Sequence, residues 1–463
     1  MPEKEKKIIV IGGGPGGYVA AIAAAQLGAD VTLVEKDALG GTCVNRGCIP
    51  TKALIQTANL LHEIGRAGEY GIAVKEYALD FIKASARKER IVRQLRGGVS
   101  YLMKKNNIAV IEGAASIMDA GRVLVAGGDA QELSGDKIII ATGSAPASIP
   151  VEGIDGKDVM NSDAVLAMES LPRKMVIIGG GAIGLEFAQM FTRMNVEVSV
   201  IEMMPRILPT EDHELAGALE RALKKEGLKI FTNARVTRIG TAPSGAREVL
   251  FSSNGAEMKA EGDKVLVSVG RRPCTEGLGL ERAGIALEKG RIAVNDRMET
   301  SRKNIYAIGD VVGGVMLAHK AMAEGRCAAA NAMGIEKKMD YKAIPRCIWT
   351  SPEVAAVGLT EQEAKDRHGE VKVSSFPFTA NGKAKILGET QGFAKIIAET
   401  RYGEILGVHL LGPHATEMIA ESVLGMQMEA GFHCFNETIH PHPTLSEALL
   451  EAGLGLEEKA LHI

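Results

Sequence analysis

The sequence lacks the features that mark membrane, secreted and nucleic-acid-binding proteins. It has no run of about 18 apolar residues, the length that a membrane-spanning helix needs, and its charged residues 1–7 lead directly into a strand-like segment rather than a signal peptide. Six cysteines in 463 residues are too few for a secreted disulfide scaffold. A formal net charge of −3 excludes a strong basic footprint for nucleic acid. We therefore expect a cytoplasmic protein that binds neither membranes nor nucleic acid.

Glycine, by contrast, is abundant, and the chain is long. Glycine accounts for 54 of the 463 residues, clearly above the usual ~7 % of proteins. Such an excess suits tight turns and close approaches of the backbone to ligands. Because a chain of this length exceeds a single hydrophobic core, we expect about two to four domains.

Two segments of the chain repeat each other. Residues 7–35 and 174–202 align without a gap at a constant offset of 167. Each copy predicts an apolar strand, a glycine-rich turn, a helix and a second strand that ends in an acid. This repeat predicts an α/β fold with two Rossmann-like dinucleotide-binding domains. The predicted cofactor-binding residues are Gly12, Gly14, Gly17 and Glu35 in the first copy and Gly179, Gly181, Gly184 and Glu202 in the second.

The spacing of the glycines has a physical reason in each copy. The first glycine permits the turn, the second lets the backbone approach a pyrophosphate, and the third allows helix and strand to pack closely. The helix then presents free N–H groups to the phosphates. Each acid is placed to accept hydrogen bonds from a ribose diol. Since the Glu202 carboxylate would repel a 2′-phosphate, the second domain is expected to prefer NAD over NADP, and Arg206 is either a surface residue or a neighbour of the pyrophosphate.

The repeat continues further along the chain. Residues 136–146 and 263–273 share an Asp-Lys pair, an apolar strand, a glycine and a later proline. Thr142 and Gly143 of the first copy and Gly270 and Arg271 of the second are therefore also predicted to bind cofactor. The first copy is about 40 residues longer between its acid and this motif, and the extra length contains a cysteine pair.

The cysteine pair stands in the segment GGTCVNRGCIPTK at residues 40–52. No second Cys or His pair follows Cys43 and Cys48 nearby, so a zinc site is not favoured, although two unrelated core thiols remain possible from the spacing alone. Pro50 suits an early helical position. Cys48 would then lie near a helix N-terminus, where a thiolate is stabilised and its pKa lowered. We predict a redox-active disulfide.

Two further segments carry candidate functional residues. Residues 300–310 predict a short strand that ends in Gly309-Asp310, which by itself is consistent with an ordinary capping Asp. Residues 440–447 read HPHPTLSE, with His442 five positions before Glu447. A histidine suits the proton transfers of thiol–disulfide exchange because its pKa lies near neutrality. A carboxylate on its other ring nitrogen would fix the tautomer.

Together these motifs resemble the pyridine nucleotide–disulfide oxidoreductase family over essentially the whole chain, and within it the members that oxidise dihydrolipoamide. The resemblance implies an FAD-binding domain with the redox disulfide (1–148) and an NAD-binding domain (149–272). It further implies a central domain that completes the FAD site (273–343) and an α+β C-terminal dimerisation domain (344–463).

The resemblance also assigns roles to individual residues. Cys48 is implied to lie against the flavin as a charge-transfer thiolate, Cys43 to meet the substrate, and Lys52 to lie near the flavin and pair with Glu186. Asp310 is implied to bind the flavin ribityl chain, and the helix near Met316, Ala318 and His319 to point its N-terminus at the flavin ring. His442 and Glu447 are implied to act in the other subunit's disulfide site, which makes the enzyme an obligate homodimer.

The activity that the resemblance implies is oxidation of protein-bound dihydrolipoamide to lipoamide, with FAD as the internal carrier and NAD reduced to NADH. Lipoyl domains of 2-oxo acid dehydrogenase or glycine-cleavage complexes are the expected partners, and they would bring the lipoyl group in trans. Two alternatives stay open: an NAD(P)H-dependent reductase of another low-molecular-weight disulfide, and a structural subunit of a multienzyme complex. Cys327, Cys347 and Cys434 show no partner spacing and are expected to be buried thiols.

Overall fold

The computed structural model describes residues 6–127 and 130–463, which form a mixed α/β structure. The first copy of the repeat builds a five-stranded parallel sheet. Its strands, in spatial order, are Ile305–Ala307, Lys137–Ile140, Lys7–Ile11, Asp30–Glu35 and Ala109–Glu112. The central strands are apolar along nearly their whole length, as expected for a parallel sheet that is covered on both faces.

The second copy builds a matching parallel sheet. Its strands, in spatial order, are Lys229–Phe231, Glu197–Ile201, Lys174–Ile178, Lys264–Val267 and Val159–Met160. The repeat extends to the pairing register, because Lys7 lies opposite Asp30 in the first sheet and Lys174 opposite Glu197 in the second. The α/β class predicted from the sequence is therefore confirmed.

Each parallel sheet is accompanied by a three-stranded antiparallel sheet. The first consists of Ala114–Asp119, Arg122–Ala126 and Gln131–Ser134, and the second of Ala234–Thr241, Arg247–Ser253 and Ala256–Gly262. Two short strands, Ser144–Pro146 and Arg271–Pro273, pair with each other and so connect the ends of the two repeats. A small hairpin is formed by Leu287–Glu288 and Arg291–Ile292.

The C-terminal part contains a five-stranded antiparallel sheet. Its strands, in spatial order, are Arg346–Ile348, Glu353–Gly358, Ile405–Gly412, Phe393–Glu399 and Val371–Pro377. Helices on this part are Glu361–His368, Gly382–Leu387, Ala415–Gln427, His433–Glu437 and Glu447–Gly455, with the 3₁₀ turn Phe378–Ala380. Strand Ile405–Gly412 is buried along its whole length, and helices Ala415–Gln427 and Glu447–Gly455 pack against this sheet.

The remaining helices lie outside the C-terminal part. They are Pro15–Gln26, Gly41–Arg46, Cys48–Arg66, Phe81–Lys105, Ser162–Leu166, Ala182–Arg193, His213–Lys225 and Ala318–Ala332, with the 3₁₀ turns Ala67–Tyr70 and Gly309–Val312. Helices Pro15–Gln26 and Ala318–Ala332 pack along each other through small residues. A Cβ on Gly325 would lie 2.6 Å from the Gly16 carbonyl oxygen, so this close approach requires glycine.

Candidate active site

The first glycine turn has the form that a dinucleotide needs. Gly12 adopts φ +104°, and a Cβ there would overlap the Ala141 carbonyl oxygen, while a Cβ on Gly17 would overlap that of Gly12. At Gly14, the N-cap of helix Pro15–Gln26, the nearest atom to an added Cβ is 3.9 Å away. The protein's own packing therefore requires the outer two glycines, whereas the middle one leaves open space before a helix N-terminus, which fits a pyrophosphate.

The second glycine turn repeats this division. Gly179 adopts φ +111°, and a Cβ on Gly184 would overlap the Gly179 carbonyl oxygen. A Cβ on Gly181, the N-cap of helix Ala182–Arg193, would meet nothing within 4 Å. The residues present thus fit a nucleotide at both turns.

The two strand-end acids bind the backbone of their own glycine turns. Glu35 accepts hydrogen bonds from the N–H groups of Gly13 at 2.6 Å and Asp37 at 2.8 Å. Glu202 accepts from Gly180 at 2.5 Å and Met204 at 2.7 Å. Each carboxylate therefore fixes its turn, a role that sequence reasoning missed, and each oxygen has capacity for a further hydrogen bond. Burial raises the pKa of Glu35.

The remaining predicted FAD residues lie at the carboxyl edge of the first sheet, where parallel-sheet ligands bind. Asp310 lies in the turn Gly309–Val312, directly after strand Ile305–Ala307, and accepts a 2.5 Å hydrogen bond from the Ser144 hydroxyl. Arg271 donates to the Ser144 hydroxyl at 2.7 Å and to its carbonyl at 2.8 Å. The structure thus places Arg271 beside Asp310 and the first sheet. The signal for Ser144 was its position one residue after the predicted Thr142-Gly143.

The strand ends Thr142–Gly143 and Gly270–Arg271 contact the opposite repeat. The Thr142 hydroxyl donates to the Cys274 carbonyl at 2.8 Å, and the Cys274 N–H donates to the Gly143 carbonyl at 2.9 Å. The Gly270 carbonyl accepts from the Ala147 N–H at 2.9 Å. These four predicted residues therefore form the connection between the two repeats.

The helix predicted near Met316–His319 begins at Ala318, with Leu317 as N-cap and Met316 preceding it. The ring Nε2 of His319 lies 2.8 Å from the Pro345 carbonyl oxygen. This contact ties the start of the helix to the segment that enters the C-terminal sheet.

The two cysteines lie on consecutive helices. Cys43 is in Gly41–Arg46, and Cys48 is the first residue of Cys48–Arg66, with Pro50 as its third. Both are free thiols in this structure, with Cys48 exposed and Cys43 half-buried. The hydrogen bond with the neighbouring Cys43 thiol, assisted by the Lys52 ammonium, lowers the pKa of Cys48 to about 7. The same interaction raises the pKa of Cys43. Cys48 is therefore the thiol that carries negative charge.

Lys52 lies one turn after Cys48 and contacts Glu186 and Trp349. Its Nζ is 2.9 and 2.7 Å from the two carboxylate oxygens of Glu186, which is only 5 % exposed, and 4.4 Å from the centre of the Trp349 ring. The Trp349 N–H donates to the same carboxylate at 3.0 Å. Trp349 is the only tryptophan of the chain, and sequence reasoning gave it no role. Residues from three parts of the chain thus meet beside the thiol pair.

His442 and Glu447 form a hydrogen-bonded pair on the C-terminal part. The Nδ1 atom of His442 is 2.8 Å from Glu447 Oε1, and the Thr444 N–H donates to Oε2 at 2.7 Å. Burial by itself would raise the pKa of Glu447, but these two hydrogen bonds outweigh it, so the pKa is lowered. The His442 side chain is 80 % exposed. Among the described residues of this chain, no hydrogen bond or ion pair joins the pair to Cys43 or Cys48.

Two of the three cysteines expected to be buried depart from that expectation, because Cys347 is half-buried and Cys434 is exposed. Cys327 is buried, and burial raises the pKa of Cys347 to about 12, so both are unreactive. Cys434, expected to be buried, is exposed. That prediction was wrong because Cys434 lies on the short surface helix His433–Glu437, whose only buried residue is Phe435.

Two dinucleotide turns and a thiol pair with one lowered pKa define a disulfide oxidoreductase with two nucleotide cofactors. The family model "Pyridine nucleotide-disulphide oxidoreductase" matches residues 6–325, and its dimerisation-domain model matches residues 344–453. The chain belongs to the pyridine nucleotide–disulphide oxidoreductase family, and it is an oxidoreductase that uses FAD and NAD. In the part of the chain that the structure describes, no helix has the length and apolar character to cross a membrane.

Individual relatives agree with this assignment. The chain is 44 % identical to a dihydrolipoyl dehydrogenase of Bacillus subtilis over 99 % of both chains. It is also 44 % identical to one of Thermus scotoductus, again over 99 % of both. Among solved structures, the HOCl-induced flavoprotein disulfide reductase RclA of Escherichia coli superposes with a TM-score of 0.85 at 31 % identity, covering 96 % of this chain and 99 % of that one.

Proposed function

We propose that this protein is an NAD-linked dihydrolipoyl dehydrogenase that oxidises protein-bound dihydrolipoyl groups, with Cys43 and Cys48 as its exchanging thiols. The observation that carries the proposal is the thiol pair, in which Cys48 has a pKa of about 7 and lies one turn from the Lys52–Glu186 pair. This asymmetry assigns the two sulfurs different tasks. Relatives that are 44 % identical to this chain are named dihydrolipoyl dehydrogenases, which supports the dihydrolipoyl group as the substrate.

The first exchange step needs a base and a leaving group. In the oxidised enzyme, one substrate thiol gives its proton to His442 of the partner subunit, and its sulfur attacks Cys43. The Cys43–Cys48 bond breaks, and Cys48 leaves as a thiolate. Because a thiol of lower pKa leaves faster, the lowered pKa of Cys48 selects the direction of attack. Glu447, held ionised by Thr444 and the histidine, keeps the His442 ring in one tautomer.

In the second step, the other substrate thiol gives up its proton as its sulfur attacks the substrate sulfur of the mixed disulfide. The bond to Cys43 breaks, the cyclic disulfide product leaves, and Cys43 takes up that proton. The chain then holds Cys43 as a thiol and Cys48 as a thiolate. Bound FAD would supply a carrier for the two electrons of this thiol pair and for their passage to NAD as hydride. Lys52 stabilises the Cys48 thiolate during this stage, since its ammonium lowers the pKa of that group.

We assign the cofactor sites to the four domains expected from the sequence. In this proposal, 1–148 and 273–343 hold FAD, 149–272 hold NAD, and 344–463 form the dimer. The position of Glu202 beside the second glycine turn supports NAD over NADP, because a carboxylate repels a 2′-phosphate. The partners are a second copy of the chain and lipoyl domains of 2-oxo acid dehydrogenase or glycine-cleavage complexes, in the cytoplasm.

The test is a steady-state assay of the FAD-loaded enzyme. Dihydrolipoamide with NAD is compared with glutathione disulfide and NADPH, in wild type, Cys43→Ser and the matched control Cys434→Ser, which removes an exposed thiol outside the site. We expect rapid NAD-linked turnover that Cys43→Ser abolishes and Cys434→Ser leaves unchanged. Faster turnover of glutathione disulfide with NADPH would establish the alternative reductase, and no turnover of either would leave a structural role.

A further inference from the structure

A buried group of ions connects the C-terminal sheet to the NAD-binding repeat. Lys395, on strand Phe393–Glu399, is only 1 % exposed. Its ammonium lies 3.1 and 3.3 Å from the two carboxylate oxygens of Asp212, 3.1 Å from Glu214 and 2.7 Å from Glu361. One buried cation therefore faces three carboxylates, two of which stand at the start of helix His213–Lys225.

A second ion pair lies beside the first. The Arg346 Nε is 2.9 and 3.1 Å from the two carboxylate oxygens of Glu211, which is 5 % exposed. Arg346 opens the first strand of the C-terminal sheet, Arg346–Ile348. Two consecutive acids of the NAD-binding repeat, Glu211 and Asp212, are thus each held by a cation from the C-terminal sheet. Because a buried charge that loses its partner is strongly destabilising, these contacts fix the position of the backbone that carries them.

That backbone is the segment 203–212, which follows Glu202 and runs along the second glycine turn. Its Leu208 N–H donates to the Gly180 carbonyl at 3.0 Å, and its Met204 N–H donates to the Glu202 carboxylate at 2.7 Å. Leu208 adopts φ +44°, a conformation that a branched residue keeps only when its surroundings impose it. The segment is therefore held at one end by the NAD turn and at the other by Lys395 and Arg346.

We propose that Lys395 and Arg346 are positioning residues for NAD: they hold segment 203–212 so that Glu202 and the second glycine turn are preformed for the dinucleotide. The inference deepens the proposed function and rests on it for the identity of the nucleotide. It makes the C-terminal sheet, which the family description assigns to dimerisation, a determinant of nucleotide binding. Lys395 and Arg346 act on the nucleotide site through the backbone of segment 203–212, without touching the nucleotide, the thiols or the substrate.

The experiment measures nucleotide binding separately from thiol chemistry. Lys395→Met and Arg346→Met are prepared as FAD-loaded enzyme, with Lys385→Met, an exposed lysine of the same C-terminal part, as the matched control. NAD affinity is measured by calorimetry, KM for NAD by steady-state assay, and reduction of the enzyme by dihydrolipoamide in the absence of NAD by stopped-flow absorbance. We expect NAD affinity to fall and KM to rise about tenfold, a modest effect for a remote displacement of a binding segment. Reduction by dihydrolipoamide should stay within about twofold of wild type.

Three outcomes would overturn the inference. They are an unchanged NAD affinity, an equal loss of NAD affinity and of the rate of reduction by dihydrolipoamide, or the same loss of NAD affinity in Lys385→Met. Because Lys395→Met leaves three carboxylates together and can prevent folding, Asp212→Asn is a second variant that removes one charge and retains the side-chain oxygen that caps the helix. It should show the same selective loss of NAD affinity. Binding is measured directly, so a wild-type enzyme that fails to oxidise dihydrolipoamide would refute the proposed function and leave this test intact.

Discussion

Replacing Lys52 by Met should move the pKa of Cys48 upward. The Lys52 ammonium is one of the causes that lower this pKa to about 7, and Glu186, the acid that it pairs with, acts in the opposite direction. Removing an opposite charge within about 4–6 Å typically shifts a pKa by about 1 unit or more. The exposed surface of Cys48 favours the lower end of that range, because solvent screens the interaction. We expect a pKa of about 8 in the variant, by the same rule.

The consequence is a loss of thiolate at physiological pH. At pH 7.5, a thiol of pKa 7 is about three-quarters ionised and one of pKa 8 about one-quarter, so the thiolate population falls roughly threefold. The assay is the pH dependence of alkylation of Cys48 by iodoacetamide, in a Cys43→Ser background. Serine retains a hydroxyl donor at position 43 and leaves one reactive thiol at the site.

Glu186→Gln provides a control of opposite sign. Since the Glu186 carboxylate raises the pKa of Cys48, its removal should lower that pKa. Lys52→Met leaves a carboxylate that is only 5 % exposed without its cation, and the double variant Lys52→Met/Glu186→Gln avoids this if the single variant does not fold. A shift of both single variants in the same direction, or no shift in Lys52→Met, would refute the electrostatic account of the site.

Three further predictions concern the nucleotide and the base. Gly184→Ala should destabilise the fold, because its Cβ overlaps backbone, whereas Gly181→Ala should keep the melting temperature and weaken NAD binding; equal melting temperatures would contradict this division. Glu202→Ala should reduce the ratio of kcat/KM for NAD to that for NADP by about tenfold, as one charge repulsion is removed, and an unchanged ratio would show that Glu202 does not discriminate. His442→Gln should lower dihydrolipoamide turnover by about 10²–10⁴-fold and Glu447→Gln by less, while NADH oxidation by an artificial acceptor continues; loss of that acceptor reaction would point to a folding defect.

The repeat could be read from the sequence because it is encoded in short segments. Residues 7–35 contain a complete strand, turn, helix and strand, whose pattern depends on neighbours within one unit. The same pattern 167 residues later gave the second sheet, with the same pairing register. Helix Cys48–Arg66 also followed from local signals, since Pro50 marks an early helical position and places Cys48 at the N-terminus. The pairing of Lys52 with Glu186, in contrast, came from resemblance and not from any pattern in the chain.

The contacts that complete the site join residues far apart in sequence, and no periodicity encodes them. Lys52 and Glu186 are 134 positions apart, and Trp349 is 163 positions from the carboxylate that its N–H contacts. The surface position of Cys434 also depends on which face of a short helix meets the core. Such contacts follow from how whole elements pack, and many arrangements of those elements are compatible with the same local pattern.

The sequence by itself therefore determined the two glycine turns, the thiol pair on a helix N-terminus and the α/β class, because each depends on backbone geometry and chemistry within a few tens of residues. Only the tertiary structure decided which charges meet. It brought Trp349 to Lys52 beside Cys48, Arg271 and Ser144 to Asp310, and Lys395 and Arg346 to the acids next to the NAD turn. The physical reason is that a buried charge is stable only beside an opposite charge or hydrogen-bonding partner, and the fold supplies that partner from a distant part of the chain.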